Sequence, residues 1–190
     1  NIYPTYDMVK AIVSHEKSLE LNKEKLLVIS PDTGAMDRAI YYAGALGVDV
    51  GLFYKRRDHS TIVNGKNPIV QHEYMGRDVA DKDVLIVDDM IASGESVIDI
   101  AKELKKRNAR NVYVAATFGF FTEGVERFNK FYEDGIISRI YCSNLTYVSP
   151  ELNDAPWFHG VDISELCSRI INRLNHGRSI SKYMDATRIT

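Results

Sequence analysis

Five short apolar runs punctuate the chain, at Leu26–Ile29, Val50–Tyr54, Val84–Val87, Val112–Ala116 and Ile136–Cys142. Their β-branched and aromatic content predicts buried strands. The clearest helical stripe between them is Val97, Ile100, Ala101 and Leu104, spaced i, i+3, i+4, i+7, with Lys102, Lys105, Lys106 and Arg107 facing outward. Near the end, Asp162 and Glu165 have the spacing of a reciprocal helix cap, opening a helix through Leu166, Ile170 and Leu174 that stops near Gly177. Strands alternating with helices predict an α/β fold, a mostly parallel sheet flanked by helices on both faces, because each parallel crossover needs a helix-length connection. Ligands of such a sheet belong at the carboxyl ends of its strands. The stretch from Lys55 to Met75 has no clean period and predicts a long polar loop, a feature that is usually functional or mobile.

Length and composition narrow this picture. The 190 residues suit a single domain over 1–190, and 45% hydrophobic residues supply a core that needs no disulfide or metal to hold it together. With 24 basic against 26 acidic residues the formal charge is -2, which leaves no surplus field for nucleic acid or an anionic membrane. The two cysteines, Cys142 and Cys167, are too far apart for a CxxC site and suit a reducing compartment, so a cytoplasmic protein is expected. No apolar run approaches the ~20 residues of a membrane span, and Asn1–Glu20 lacks the plan of a signal peptide. Asn-Ile-Tyr-Pro reads as the exit from an earlier element, so an upstream segment is expected.

The chemistry concentrates at positions 84–96, Val-Leu-Ile-Val-Asp-Asp-Met-Ile-Ala-Ser-Gly-Glu-Ser: a buried strand, two acids, a loop of small residues, then the amphipathic helix. Small side chains at Ala92, Ser93, Gly94 and Ser96 let backbone close around an anion, and a helix start adds exposed N–H groups and a positive dipole end. Two carboxylates immediately before such a cradle would repel a bare anion. A sugar phosphate resolves the conflict, with Asp88 and Asp89 accepting from ribose hydroxyls while the phosphate occupies the loop. The competing reading is structural: paired acids can end a strand and cap the next helix.

The hydrophobic-Asp-Asp-x-x-x-Ser/Thr-Gly pattern resembles the signature of the type I phosphoribosyltransferase fold. Val-Ile-Ser-Pro-Asp-Thr-Gly-Ala at 28–35, Tyr-Lys-Arg-Arg at 54–57 and Ser-Ile-Ser-Lys-Tyr-Met at 179–184 are similar to the ribose-phosphate pyrophosphokinase family, over its C-terminal half. The resemblance implies Mg²⁺-dependent transfer of pyrophosphate from ATP to the 1-hydroxyl of ribose 5-phosphate, giving phosphoribosyl pyrophosphate and AMP. It implies that Asp88 and Asp89 hold the ribose, that Ala92, Ser93, Gly94, Glu95 and Ser96 hold its 5-phosphate, and that Asp32 helps to bind Mg²⁺. The competing reading of Asp32 is a helix cap after Pro31. Lys55 and Arg57 match the family's catalytic loop, where cations neutralise the moving pyrophosphoryl group. The resemblance further implies a homo-oligomer and a missing N-terminal domain that supplies much of the ATP site, so the chain alone is expected to turn over poorly or not at all.

Three positions depart from the family pattern: Glu95 puts an acid in the phosphate loop, Ala92 replaces an acid, and Phe118 replaces a frequent histidine. The five histidines, at 15, 59, 72, 159 and 176, show no metal-ligand spacing, and only His59, beside the Lys-Arg-Arg run, invites a functional reading. Trp157 and Phe158 are expected in the core or a subunit interface. Two alternatives stay open: a phosphoribosyltransferase acting on a base, and a non-catalytic ligand-sensing homologue.

Overall fold

The computed structural model describes residues 3–57 and 69–184, excepting the side chains of 55–57, 69–72, 182 and 184. Helix α1 (Thr5–His15) leads into β1 (Leu26–Ser30), a 3-10 turn at Thr33–Ala35, α2 (Met36–Leu46) and β2 (Asp49–Arg57). Next come β3 (Ile69–Met75), β4 (Asp83–Ile91), α3 (Glu95–Lys106), β5 (Val112–Gly119), α4 (Glu126–Glu133) and β6 (Arg139–Ser143). The last described elements are the helical turn α5 (Pro150–Asn153), β7 (Phe158–Val161), α6 (Ser164–Asn175) and the short α7 (Ser181–Met184).

The described strands form one sheet in the order β3-β2-β1-β4-β5-β6-β7. Every neighbouring pair is parallel except β2 with β3. Central strands are buried on both faces, which is why they read as continuous apolar runs; all five residues of β1 are buried. Alternate side chains enter two cores. On one face Leu27, Ile29, Ile86 and Val114 pack with Val97, Ile100 and Leu104 of α3 and Phe128 of α4. On the other, Leu26, Val28, Leu85 and Val87 pack with Met8 and Ile12 of α1 and Ala39 and Tyr42 of α2. Trp157 and Phe158 lie in the first core.

Three expectations need correction. The stretch Lys55–Met75 is not one loop: β2 runs to Arg57 and β3 returns beside it, from Arg57↔Ile69 to Leu52↔Met75. Its edge position lets β3 mix polar and apolar residues, which hides the alternation; positions 58–68, including His59, lie outside the described residues. The reciprocal cap of α6 does not form. Asp162 Oδ1 accepts from Ser164 N at 2.9 Å, Ser164 Oγ at 2.6 Å and Asn144 Nδ2 at 2.8 Å, while Glu165 pairs with Arg169 one turn on. Leu174 on that helix is exposed. The sixth strand begins at Arg139 rather than Ile136, because Ile136 N and Ile137 N both turn back to Phe131 O at the end of α4.

Candidate functional site

The chain leaves β1 toward β2 and β3 on one side and leaves β4 toward β5, β6 and β7 on the other. The strand order therefore reverses between β1 and β4, the place where open α/β sheets bind ligands. β1 pairs with β4 only as far as Ile29↔Ile86, whereas β4 continues to Ile91 with β5 as its partner through Ile91↔Gly119. Asp88 and Asp89 therefore lie on a stretch of strand whose β1 side is open. A cleft of about 240 Å³ occupies that opening, lined by Asp32, Asp88, Asp89 and residues 90–97.

Asp88 Oδ1 accepts the backbone N–H of Asp89 at 2.8 Å. Partial burial pushes the Asp88 carboxyl up to about 6, and the carboxylates of Asp89 and Asp32 act in the same direction. Three acids thus crowd one mouth, and a hydroxyl-rich or cationic ligand would relieve them. Asp32 takes the structural role that its sequence also allowed: Oδ1 accepts from Gly34 N at 2.9 Å and Ala35 N at 3.1 Å, capping the 3-10 turn, while Ser30 Oγ donates to Asp32 O at 2.7 Å. Oδ2 takes no part in that cap. Among the described residues no group of three or more His, Cys, Asp or Glu is arranged to hold a metal by itself. Hard carboxylate oxygens at the cleft mouth fit Mg²⁺ in its usual form, in which water and substrate phosphates complete the coordination.

All five expected phosphate-loop residues come together in the cleft. Ala92, Ser93 and Gly94 join β4 to α3, and Glu95 and Ser96 are the first residues of the helix. Gly94, the residue before α3, adopts φ +81, a left-handed turn that favours glycine, and has no side chain of its own to cap the helix. Ser93 Oγ accepts from Glu95 N at 3.4 Å, and Glu95 itself is exposed. The loop so presents the start of α3 to the cleft. Lys55 and Arg57 belong to the last three residues of β2, at the cleft end of the sheet, but their side chains lie outside the described residues.

A larger cavity of about 520 Å³ adjoins the first and shares Asp89 with it. Phe118, half-buried and stacked on Phe120 at 6.2 Å, contributes to its wall with Thr117, Tyr3, Arg38, Tyr41 and Leu145. Of these only Phe118 drew attention in the sequence. Arg38 and Tyr41 carry a weak signal, their i, i+3 spacing on the helix that follows Ser-Pro-Asp. His15 and His159 form no ligand set; their rings pack at 4.5 Å beside Tyr141, whose hydroxyl donates to Glu16 at 2.7 Å. Burial, then the neighbouring His15 and Arg139, hold the His159 imidazole below its ordinary value.

An acid pair at a strand end, facing a small-residue loop and helix start across the strand-order reversal, defines a phosphoribosyltransferase-type domain. Residues 6–134 match the phosphoribosyl transferase domain family, and the chain belongs to that family. The curated relatives that it matches include, more narrowly, ribose-phosphate pyrophosphokinases. One from Mycoplasma pneumoniae is 33% identical over 162 residues, covering 85% of this chain and 47% of the relative. Another, from Thermococcus kodakarensis, is 37% identical over 139 residues, covering 70% of this chain and 47% of the relative. The chain therefore spans about half the length of the curated relatives it matches. The crystal structure of phosphoribosylpyrophosphate synthetase from Mycobacterium smegmatis shares the fold, with TM-score 0.72 and 21% identity over 92% of this chain and 51% of that one.

Proposed function

We propose that residues 1–190 are the C-terminal half of a ribose-phosphate pyrophosphokinase and supply its ribose 5-phosphate site. The observation that carries this reading is the single cleft in which Asp88 and Asp89 face the loop from Ala92 to Ser96. Asp88 and Asp89 accept from two ribose hydroxyls and orient the sugar. Ser93 and Ser96 hydroxyls and the N–H groups opening α3 receive the 5-phosphate. The 1-hydroxyl oxygen of the ribose then attacks the β-phosphorus of ATP and releases its proton to solvent, a new O–P bond forms, the bond from that phosphorus to the α,β-bridging oxygen breaks, and AMP leaves with that oxygen. Asp32 Oδ2, with water and substrate phosphates, would hold Mg²⁺, which when bound neutralises charge on the transferred group. Lys55 and Arg57, among the last three residues of β2, serve to neutralise the same charge.

Much of the ATP site belongs to the N-terminal half of such an enzyme, so the isolated chain binds sugar phosphate and turns over poorly or not at all. A homo-oligomer and a cytoplasmic setting complete the proposal; among the described residues no helix is long and apolar enough to cross a membrane. The test is calorimetric titration with ribose 5-phosphate and Mg²⁺, with Asp89→Ala as control. Binding that disappears in the control supports the reading. No binding by the folded wild type would defeat it and favour a non-catalytic homologue.

A further inference from the structure

The phosphate loop does not stand alone; a second loop and a helix hold it from behind. Ile91 O accepts from Phe120 N at 2.9 Å and from Phe121 N at 3.3 Å, and Ala92 O accepts from Thr122 N at 3.0 Å. The β5–α4 connection is thereby stitched along the start of the loop. Below it lies an aromatic block. Phe128 of α4 is 1% exposed, stacks on Trp157 at 5.2 Å and meets Phe121 edge-on at 5.0 Å. Trp157 is fixed in turn by its Nε1, which donates to Asn129 Oδ1 at 2.7 Å. Phe121 holds a left-handed φ of +46 without being glycine, a strain that surrounding contacts must sustain.

The block ends at Gly94. A Cβ on Gly94 would lie 2.2 Å from Phe128 Cζ and 3.0 Å from Cε2, so the ring occupies the space that any side chain would need. Glycine at this position thus answers two demands, a left-handed turn and contact with an aromatic floor. A rigid ring there fixes the height and direction at which the turn delivers the first N–H groups of α3 into the cleft.

We propose that Phe128 is the positioning residue of the phosphate loop, its ring setting the Gly94 turn and through it the start of α3. This rests on the sugar-phosphate reading above. Phe128 does not line the cleft and acts on it through Gly94. An aromatic block of this density is felt throughout when one ring is altered, so the contrast that matters is with a neighbour in the same block that does not underlie Gly94. Phe158 is such a neighbour: buried, and 5.9 Å edge-on to Phe121.

The experiment compares Phe128→Leu, Phe158→Leu, Gly94→Ala and the Gly94→Ala/Phe128→Leu double variant. It uses ribose 5-phosphate calorimetry and amide hydrogen exchange at Glu95–Val97, below the unfolding temperature of each protein. Phe128→Leu is expected to weaken binding roughly tenfold or more, as small misplacements of binding groups do, and to speed exchange at the start of α3. Phe158→Leu is expected to change neither. Gly94→Ala alone loses binding, and leucine at 128, which lacks Cζ, restores part of it. Equal losses in the two leucine variants, or a double variant no better than the sum of its singles, would overturn the proposal. If Gly94→Ala does not fold, the comparison of the two leucine variants decides alone. If the wild type binds no ribose 5-phosphate, the functional reading fails separately, and exchange still decides: faster exchange confined to Phe128→Leu supports the positioning role, and unchanged exchange refutes it.

Discussion

Replacing Asp88 by asparagine removes one negative charge from a mouth that holds three carboxylates while leaving an oxygen to accept the Asp89 N–H. In the folded chain the Asp88 carboxyl is raised from 3.8 to about 6 by partial burial and by its acidic neighbours. Between those values the native state holds more of this proton than the unfolded state does, so stability falls as pH rises through the interval. The cost is absent below the unfolded value and complete above the folded one. A rise of about two units corresponds to roughly 3 kcal/mol at ~1.4 kcal/mol per unit, and solvent screening at the cleft mouth reduces it to about 1–2 kcal/mol. Urea denaturation followed by circular dichroism at pH 4 and 7.5 measures it, and other acids cancel in the difference between proteins. Asp88→Asn should match the wild type within about 0.5 kcal/mol at pH 4 and exceed it by about 1–2 kcal/mol at pH 7.5, while binding ribose 5-phosphate less well. A variant less stable than wild type at pH 7.5, or an unchanged difference across the range, would refute the reasoning.

Asp32→Asn separates the cap from the cation: asparagine still accepts from Gly34 N and Ala35 N, so stability should change by less than about 0.5 kcal/mol, while the Mg²⁺ dependence of sugar-phosphate binding weakens in calorimetry. Glu95→Gln should tighten ribose 5-phosphate binding about two- to fivefold, because an acid in the first turn competes with phosphate for the helix dipole, and the gain should shrink with added salt. Arg110→Met strips the bidentate partner from Asp83, which is 1% exposed, and should cost about 3 kcal/mol or more in urea unfolding without altering ligand affinity. Tyr141→Phe, which loses the hydroxyl donated to Glu16, should cost about 1–2 kcal/mol and leave the cleft unaffected.

The central strands and α3 were legible because burial on both faces gives unbroken apolar runs and burial on one side gives a 3.6-residue stripe. The acid pair and small-residue loop were legible for a related reason: they are local, and their composition serves one purpose. Asp32 was ambiguous in the sequence because a carboxylate serves a cap and a cation equally well, and the structure shows the cap. Edge strands β3 and β7 escaped notice because one neighbour instead of two relaxes the demand for apolar residues, and His159 and Gly160 interrupt β7. The support of Gly94 by Phe128 joins residues 34 positions apart and could not be seen before the fold was known.

The sheet separates the two duties of the cleft. The turn carrying Asp32 leads into α2 and the core beneath it, whereas the loop from Ala92 to Ser96 leads into α3 and the opposite core. On the proposed function, grip on the sugar phosphate and handling of the cation would therefore be mounted in different layers, with the strands between them. Repacking one layer would then retune one of these duties with little disturbance of the other, which gives an engineer two separate adjustments to one cleft.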